Sequence, residues 1–97
     1  MREADLEKQI KKRIESTGGL CLKFTSPGYT GVPDRIALLP GGRCLFIEAK
    51  RPGLKDGMSP RQKRVACLLK GLGFEVIRAS ALQDVEEALA QQKETPR

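Results

Sequence analysis

The chain has 97 residues, 39% hydrophobic and 31% charged, too apolar for a disordered chain and too polar for a membrane protein. Lys and Arg total 18 against 12 acids, giving a net charge of +6 and a pI near 9.6, which suits a polyanionic partner as well as simple solubility. There is no His, which excludes Ser-His-Asp and Cys-His catalysis and histidine-based metal sites.

The first segment, from about Glu3 to Thr17, is predicted as a helix: Leu6, Ile10 and Ile14 recur on one side, with Lys8, Lys11, Lys12 and Glu15 on the other. Gly18-Gly19 ends it. Leu20, Leu22 and Phe24 alternate with Cys21 and Lys23 as a strand, and the stretch from Thr25 to Pro33 is a loop with Tyr29 as its one aromatic. A second strand, Asp34 to Leu39, turns through Pro40-Gly41-Gly42 into a third, Arg43 to Lys50, followed by a basic loop to Gly57. Ser59-Pro60-Arg61-Gln62 is a strong helix start, with Ser59 as cap and Gln62 able to reach back. Val65, Leu68, Leu69 and Leu72 give that helix its inner face, and Gly73 stops it. Phe74 to Arg78 is a fourth strand, and Ser80 is expected to cap a last helix carrying Leu82, Val85 and Leu89 inward.

The order α-β-β-β-α-β-α predicts an α/β fold, a mixed four-stranded sheet flanked by helices, as one domain over residues 1–97. A core this small makes pairing with a second copy an economical way to bury more surface. The apolar runs are too short to span a bilayer, and the opening Met-Arg-Glu-Ala-Asp has no signal-peptide pattern, so a cytosolic protein is expected. Cys21, Cys44 and Cys67 are too scattered for disulfides or zinc and are expected to act as small hydrophobes.

Chemistry concentrates at one hairpin. Glu48 and Lys50 share a strand face, and Asp34 opens the neighbouring antiparallel strand, so all three are expected at one end of the sheet. Two carboxylates held together repel, and a divalent cation such as Mg²⁺ or Mn²⁺ relieves the repulsion while accepting phosphate oxygens. The carbonyl of Ala49 is an additional candidate ligand, and Lys50 would orient or deprotonate water or neutralise charge on phosphorus. At about 100° per residue, Glu7 falls roughly 20° from Ile14, at the edge of the apolar stripe, where a carboxylate needs a partner. A metal shared with Asp34 and Glu48 is one candidate; an ion pair with Arg13, or fraying outward, is another. Gln62 is explained by capping alone or by pointing to the site, and Tyr29 by stacking on a base or packing on the rim. Lys23, Arg35, Arg51, Lys55, Arg61, Lys63 and Arg64 surround these positions in sequence as candidate phosphate contacts. The same acids and lysine also fit a solvated salt bridge worth about 0–1 kcal/mol, and the bare motif is degenerate.

In order along the chain, Glu7, Gly31-Val32-Pro33-Asp34, Phe46-Ile47-Glu48-Ala49-Lys50, Ser59-Pro60-Arg61-Gln62 and Gly73-Phe74-Glu75-Val76 resemble the PD-(D/E)XK nuclease superfamily and, more narrowly, its virus-type replication-repair (VRR-NUC) family. The resemblance covers nearly the whole chain. It implies a restriction-endonuclease-like fold with Glu7, Asp34 and Glu48 as metal ligands, Lys50 as the catalytic lysine and Gln62 as the family's glutamine. It further implies a small homodimer that cuts branched or structured DNA, as Holliday-junction resolvases do, in phage or viral replication or repair, with Mg²⁺ or Mn²⁺ and no organic cofactor. The alternatives are a DNA-binding module without catalysis on the same fold, and a small basic interaction protein.

Overall fold

The computed structural model describes residues 1–53 and 57–91. Along the chain run α1 (Glu3–Ser16), β1 (Leu20–Lys23), β2 (Arg35–Leu39), β3 (Arg43–Ala49), α2 (Pro60–Gly71), β4 (Glu75–Ala79) and α3 (Leu82–Ala90). This is the expected order, with ends moved by one or two residues. The strands form one sheet in the order β1-β2-β3-β4. The first three make an antiparallel meander, and β4 returns parallel to β3 through the α2 crossover, with Glu48 beside Arg78 and Ala49 beside Ala79. Gly41 and Gly42 both take positive φ in the hairpin turn, which only glycine does without strain.

Strand parity divides the molecule into two layers. Cys21, Ala37, Leu39, Leu45, Ile47, Ala49 and Ala79 face α1 and α3, packing on Leu6, Ile10, Ile14, Val85 and Ala88. The other face is smaller: Phe46 and Val76 pack on Ala66, with Phe24, Ile36, Cys44, Met58 and Leu69 around them. Phe46 lies 5.7 Å from Phe24 and 5.6 Å, edge-on, from Phe74.

Three expectations change. Leu68 and Leu72 belong to the predicted inner face of α2 but are exposed, Leu72 by 75%. A single helix covers only part of a four-stranded face, and α2 packs over the β3–β4 part. For the same reason the buried side chain of β1 is Cys21, while Leu20 and Leu22 stand in solvent. Of the other cysteines, Cys44 is half-buried and Cys67 exposed. Ser80 does not cap α3 with its side chain; Asp84 Oδ2 instead accepts from the backbone N–H groups of Ser80 at 2.9 Å and Ala81 at 3.2 Å.

Candidate active site

The end of β3 is the centre of the site, because three neighbouring elements fasten to it. The Lys50 N–H donates to the Ala79 carbonyl at 2.8 Å, tying it to β4. The Ala49 N–H donates to Asp34 Oδ2 at 2.9 Å, which brings the residue preceding β2 against the last residue of β3. From α2, Gln62 Nε2 donates to Glu48 Oε2 at 2.8 Å.

Glu48 is the one buried charged side chain among the described residues, 2% exposed. Its Oε2 takes both the Gln62 amide and the Lys50 ammonium, the latter at 3.0 Å. Its Oε1 is buried without any hydrogen-bond partner. A buried carboxylate oxygen left unmatched is costly, and its presence is a reason to look for a missing cationic partner. Gln62 Oε1 accepts from Lys50 Nζ at 3.2 Å and from the Ser59 N–H at 3.0 Å, while Ser59 Oγ accepts from the Gln62 N–H at 3.1 Å. The capping box and the contacts to Glu48 and Lys50 are therefore one network, with Gln62 in both. The Ser59 N–H fixes which end of the amide faces Glu48, since Gln62 Oε1 is already an acceptor.

Asp34 is affected by the same crowding. Burial pushes its carboxyl up from the ordinary 3.8 to about 6; the charge of Glu48 adds to the rise, the Ala49 N–H opposes it, and Glu7 and Glu3 add further. An acid beside another acid, both partly desolvated, fits a divalent cation with hard oxygen ligands. The fit rests on Asp34 and Glu48. Among the described residues no three of Asp, Glu and Cys are grouped closely enough to hold a metal.

Glu7 is held elsewhere. Arg35 Nε donates to Glu7 Oε1 at 2.9 Å, with both side chains largely buried. Strand parity supplies the cause: Arg35 shares the α1 face with Ala37 and Leu39, and so meets α1 directly. The pairing also removes Arg35 from the surface cations. Arg13, the other candidate partner for Glu7, pairs with Glu86. Ala49 is fully buried. Lys23 and Arg51 are exposed, as are Lys63 and Arg64. Tyr29 is exposed on the loop before β2, and the Arg61 guanidinium lies 4.9 Å from its ring centre. Lys55 falls outside the described residues.

No family model matches the chain. Over 77 residues, 79% of this chain and 81% of the relative, it is 43% identical to "Putative nuclease p44" of Acyrthosiphon pisum secondary endosymbiont phage 1. It also superimposes on a solved VRR_NUC domain with a TM-score of 0.81 and 29% identity, covering 92% of this chain and 95% of the other. The chain belongs to the VRR-NUC family. Its sheet and flanking helices are accordingly the restriction-endonuclease-like fold of that nuclease family. In this VRR-NUC chain no helix among the described residues is long and apolar enough to cross a membrane.

Proposed function

We propose that this VRR-NUC domain is a Mg²⁺- or Mn²⁺-dependent DNA endonuclease, selective for branched or otherwise structured DNA, acting in the cytosol of a phage-infected or bacterial host. The observation that carries the reading is Glu48, buried, bonded to Lys50 and Gln62 through one oxygen and orphaned at the other. Asp34 and Glu48 would hold the cation, with the Ala49 carbonyl as a further candidate ligand; Glu7, paired with Arg35, could join only by giving up that pair. A bound divalent ion supplies neutralisation of the scissile phosphate and activation of water.

The chain's own residues do the rest. Lys50 has three N–H donors, of which Glu48 and Gln62 engage two; the third is available to a non-bridging phosphate oxygen, where negative charge builds as water adds to phosphorus and the deoxyribose oxygen leaves. Gln62 keeps the ammonium and the carboxylate aligned before substrate arrives. Lys23, Arg51, Arg61 and Lys55 would contact the backbone and fix register without reading bases.

A homodimer is supported by an open face. Leu20, Leu22 and Leu38 present apolar surface on the α2 side of the sheet at and next to the edge strand β1, and Leu68 and Leu72 of α2 are exposed as well. On a chain of +6, basic surfaces repel a second copy, whereas uncharged leucines are complementary to themselves, as a twofold contact requires.

A cleavage panel of four-way, flap, nicked and linear DNAs, with Mg²⁺, Mn²⁺ or EDTA, tests the reading. Cutting of branched DNA that EDTA abolishes is expected. Binding without cutting in either metal would leave only the DNA-binding module.

A further inference from the structure

The loop between β1 and β2 is pinned by one side chain. Arg61, in the first turn of α2, donates its Nε–H to the Thr30 carbonyl at 3.0 Å and lays its guanidinium over the Tyr29 ring, 4.9 Å from the centroid. Gly31 makes this approach available. A Cβ there would come within 2.6 Å of Arg61 Cγ and 3.0 Å of the Arg61 carbonyl oxygen, and Gly31 sits at φ +87°, where other side chains are strained. The base of the loop closes through the Phe24 N–H, which donates to the Asp34 carbonyl at 2.9 Å. The loop thus ends on Asp34, and its tip is held by the residue adjoining Gln62. Tyr29 is carried to the same end of the sheet as Glu48 and Lys50.

We propose that Tyr29, backed by Arg61, is a stacking platform for an unpaired base next to the scissile phosphate, and that it gives this nuclease its preference for DNA whose duplex is interrupted. The inference rests on the DNA-cleaving reading above. Tyr29 is 45% exposed with the Arg61 cation over one side of its ring, so the side chain keeps surface open to a base. Within a continuous duplex each base has both faces covered by its neighbours. Only a base at a branch, nick or frayed end offers a free face to an aromatic ring. The guanidinium adds charge beside the backbone and holds the ring in place before binding, which reduces the ordering that binding would otherwise require. Tyr29 is thereby a specificity residue, and Arg61 and Gly31 are positioning residues acting through it.

The test uses the full chain in EDTA, where DNA is bound and not cut, with 2-aminopurine placed in turn at each unpaired position abutting a duplex. A second probe carries it inside continuous duplex. Wild type and Tyr29→Phe should change the emission of a junction probe and leave the duplex probe unaltered. Tyr29→Ala and Gly31→Ala should lose the response, with folding checked by circular dichroism. In Mg²⁺ the Tyr29→Ala ratio of kcat/KM for branched over linear DNA should fall roughly tenfold or more. An equal response in Tyr29→Ala, or no response by a wild type that cuts DNA, overturns the platform. Should wild type cut nothing in either metal, the nuclease reading fails separately, and the EDTA assay still decides stacking by whether its signal depends on Tyr29.

Discussion

Gln62 and Glu48 meet across 2.8 Å, amide to carboxylate, and this contact joins the capped start of α2 to the end of β3. Because the same amide accepts from Lys50 and from the Ser59 backbone, a change at Gln62 is felt at the helix cap and at the site together. Gln62→Ala should lower kcat by about 10- to 100-fold, the usual cost of losing a partner that orients a metal ligand. The cap accounts for only about 1 kcal/mol of stability. Steady-state kinetics beside urea unfolding would separate the two effects; a kcat left intact with stability reduced would reduce Gln62 to a cap.

Asp34 gives the protein a stability that falls as pH rises. Its folded carboxyl titrates at about 6 against an ordinary 3.8, so between those values the folded state holds a proton that the unfolded chain has lost. The contribution is full below about 4 and lost by about 6. Melting temperatures in EDTA should therefore show a decline over that window, and Asp34→Asn should flatten it. With divalent metal present, protonation competes with binding, so cation affinity should drop as pH falls through 6.

Arg43 ties three elements together at the opposite end of the sheet. It holds Glu75 through two bonds, at 2.7 and 2.8 Å, and donates to the carbonyls of Ala88 and Leu89 at the end of α3. Both partners of the ion pair are largely buried, so Arg43→Ala should cost about 2–4 kcal/mol, near the range for breaking such a pair. Arg43→Lys should recover only part, lacking the planar fork. Urea denaturation measures both.

The exposed leucines predict the assembly state. Lysines in place of Leu22 and Leu38 should leave the fold intact, since both side chains are already in solvent, and should convert a dimer to a monomer in sedimentation velocity. An unchanged dimer would place its interface elsewhere; a monomeric wild type would remove it.

The sequence disclosed the fold through periodicity: Leu6, Ile10 and Ile14 are all fully buried, and alternation along Arg43 to Lys50 placed Glu48 and Lys50 on one face. It also placed Asp34 beside them, because the two ends of a hairpin must meet. What it could not show is which helix covers which half of the sheet. Leu68 and Leu72 match the apolar period as well as Leu69 does, yet a lone crossover helix has no second neighbour to cover them. Glu7 went to Arg35 for a related reason. A position on a helix stripe says that a carboxylate faces inward, not which side chain of the facing strand is there to meet it. The orphaned Glu48 oxygen and the Arg61 clamp over Gly31 depend on side-chain distances between elements and had no sequence signature.

The central claim is that Asp34 and Glu48 bind a divalent ion on which DNA cutting depends. Titration of Mn²⁺, followed by electron paramagnetic resonance, with cleavage assayed on the same samples of wild type, Glu48→Gln and Lys50→Ala, tests it most directly. A Mn²⁺ site lost in Glu48→Gln but kept in Lys50→Ala, with cutting abolished in both, is the predicted result. Undiminished Mn²⁺ binding by Glu48→Gln, or cleavage by wild type that persists in EDTA, would contradict it.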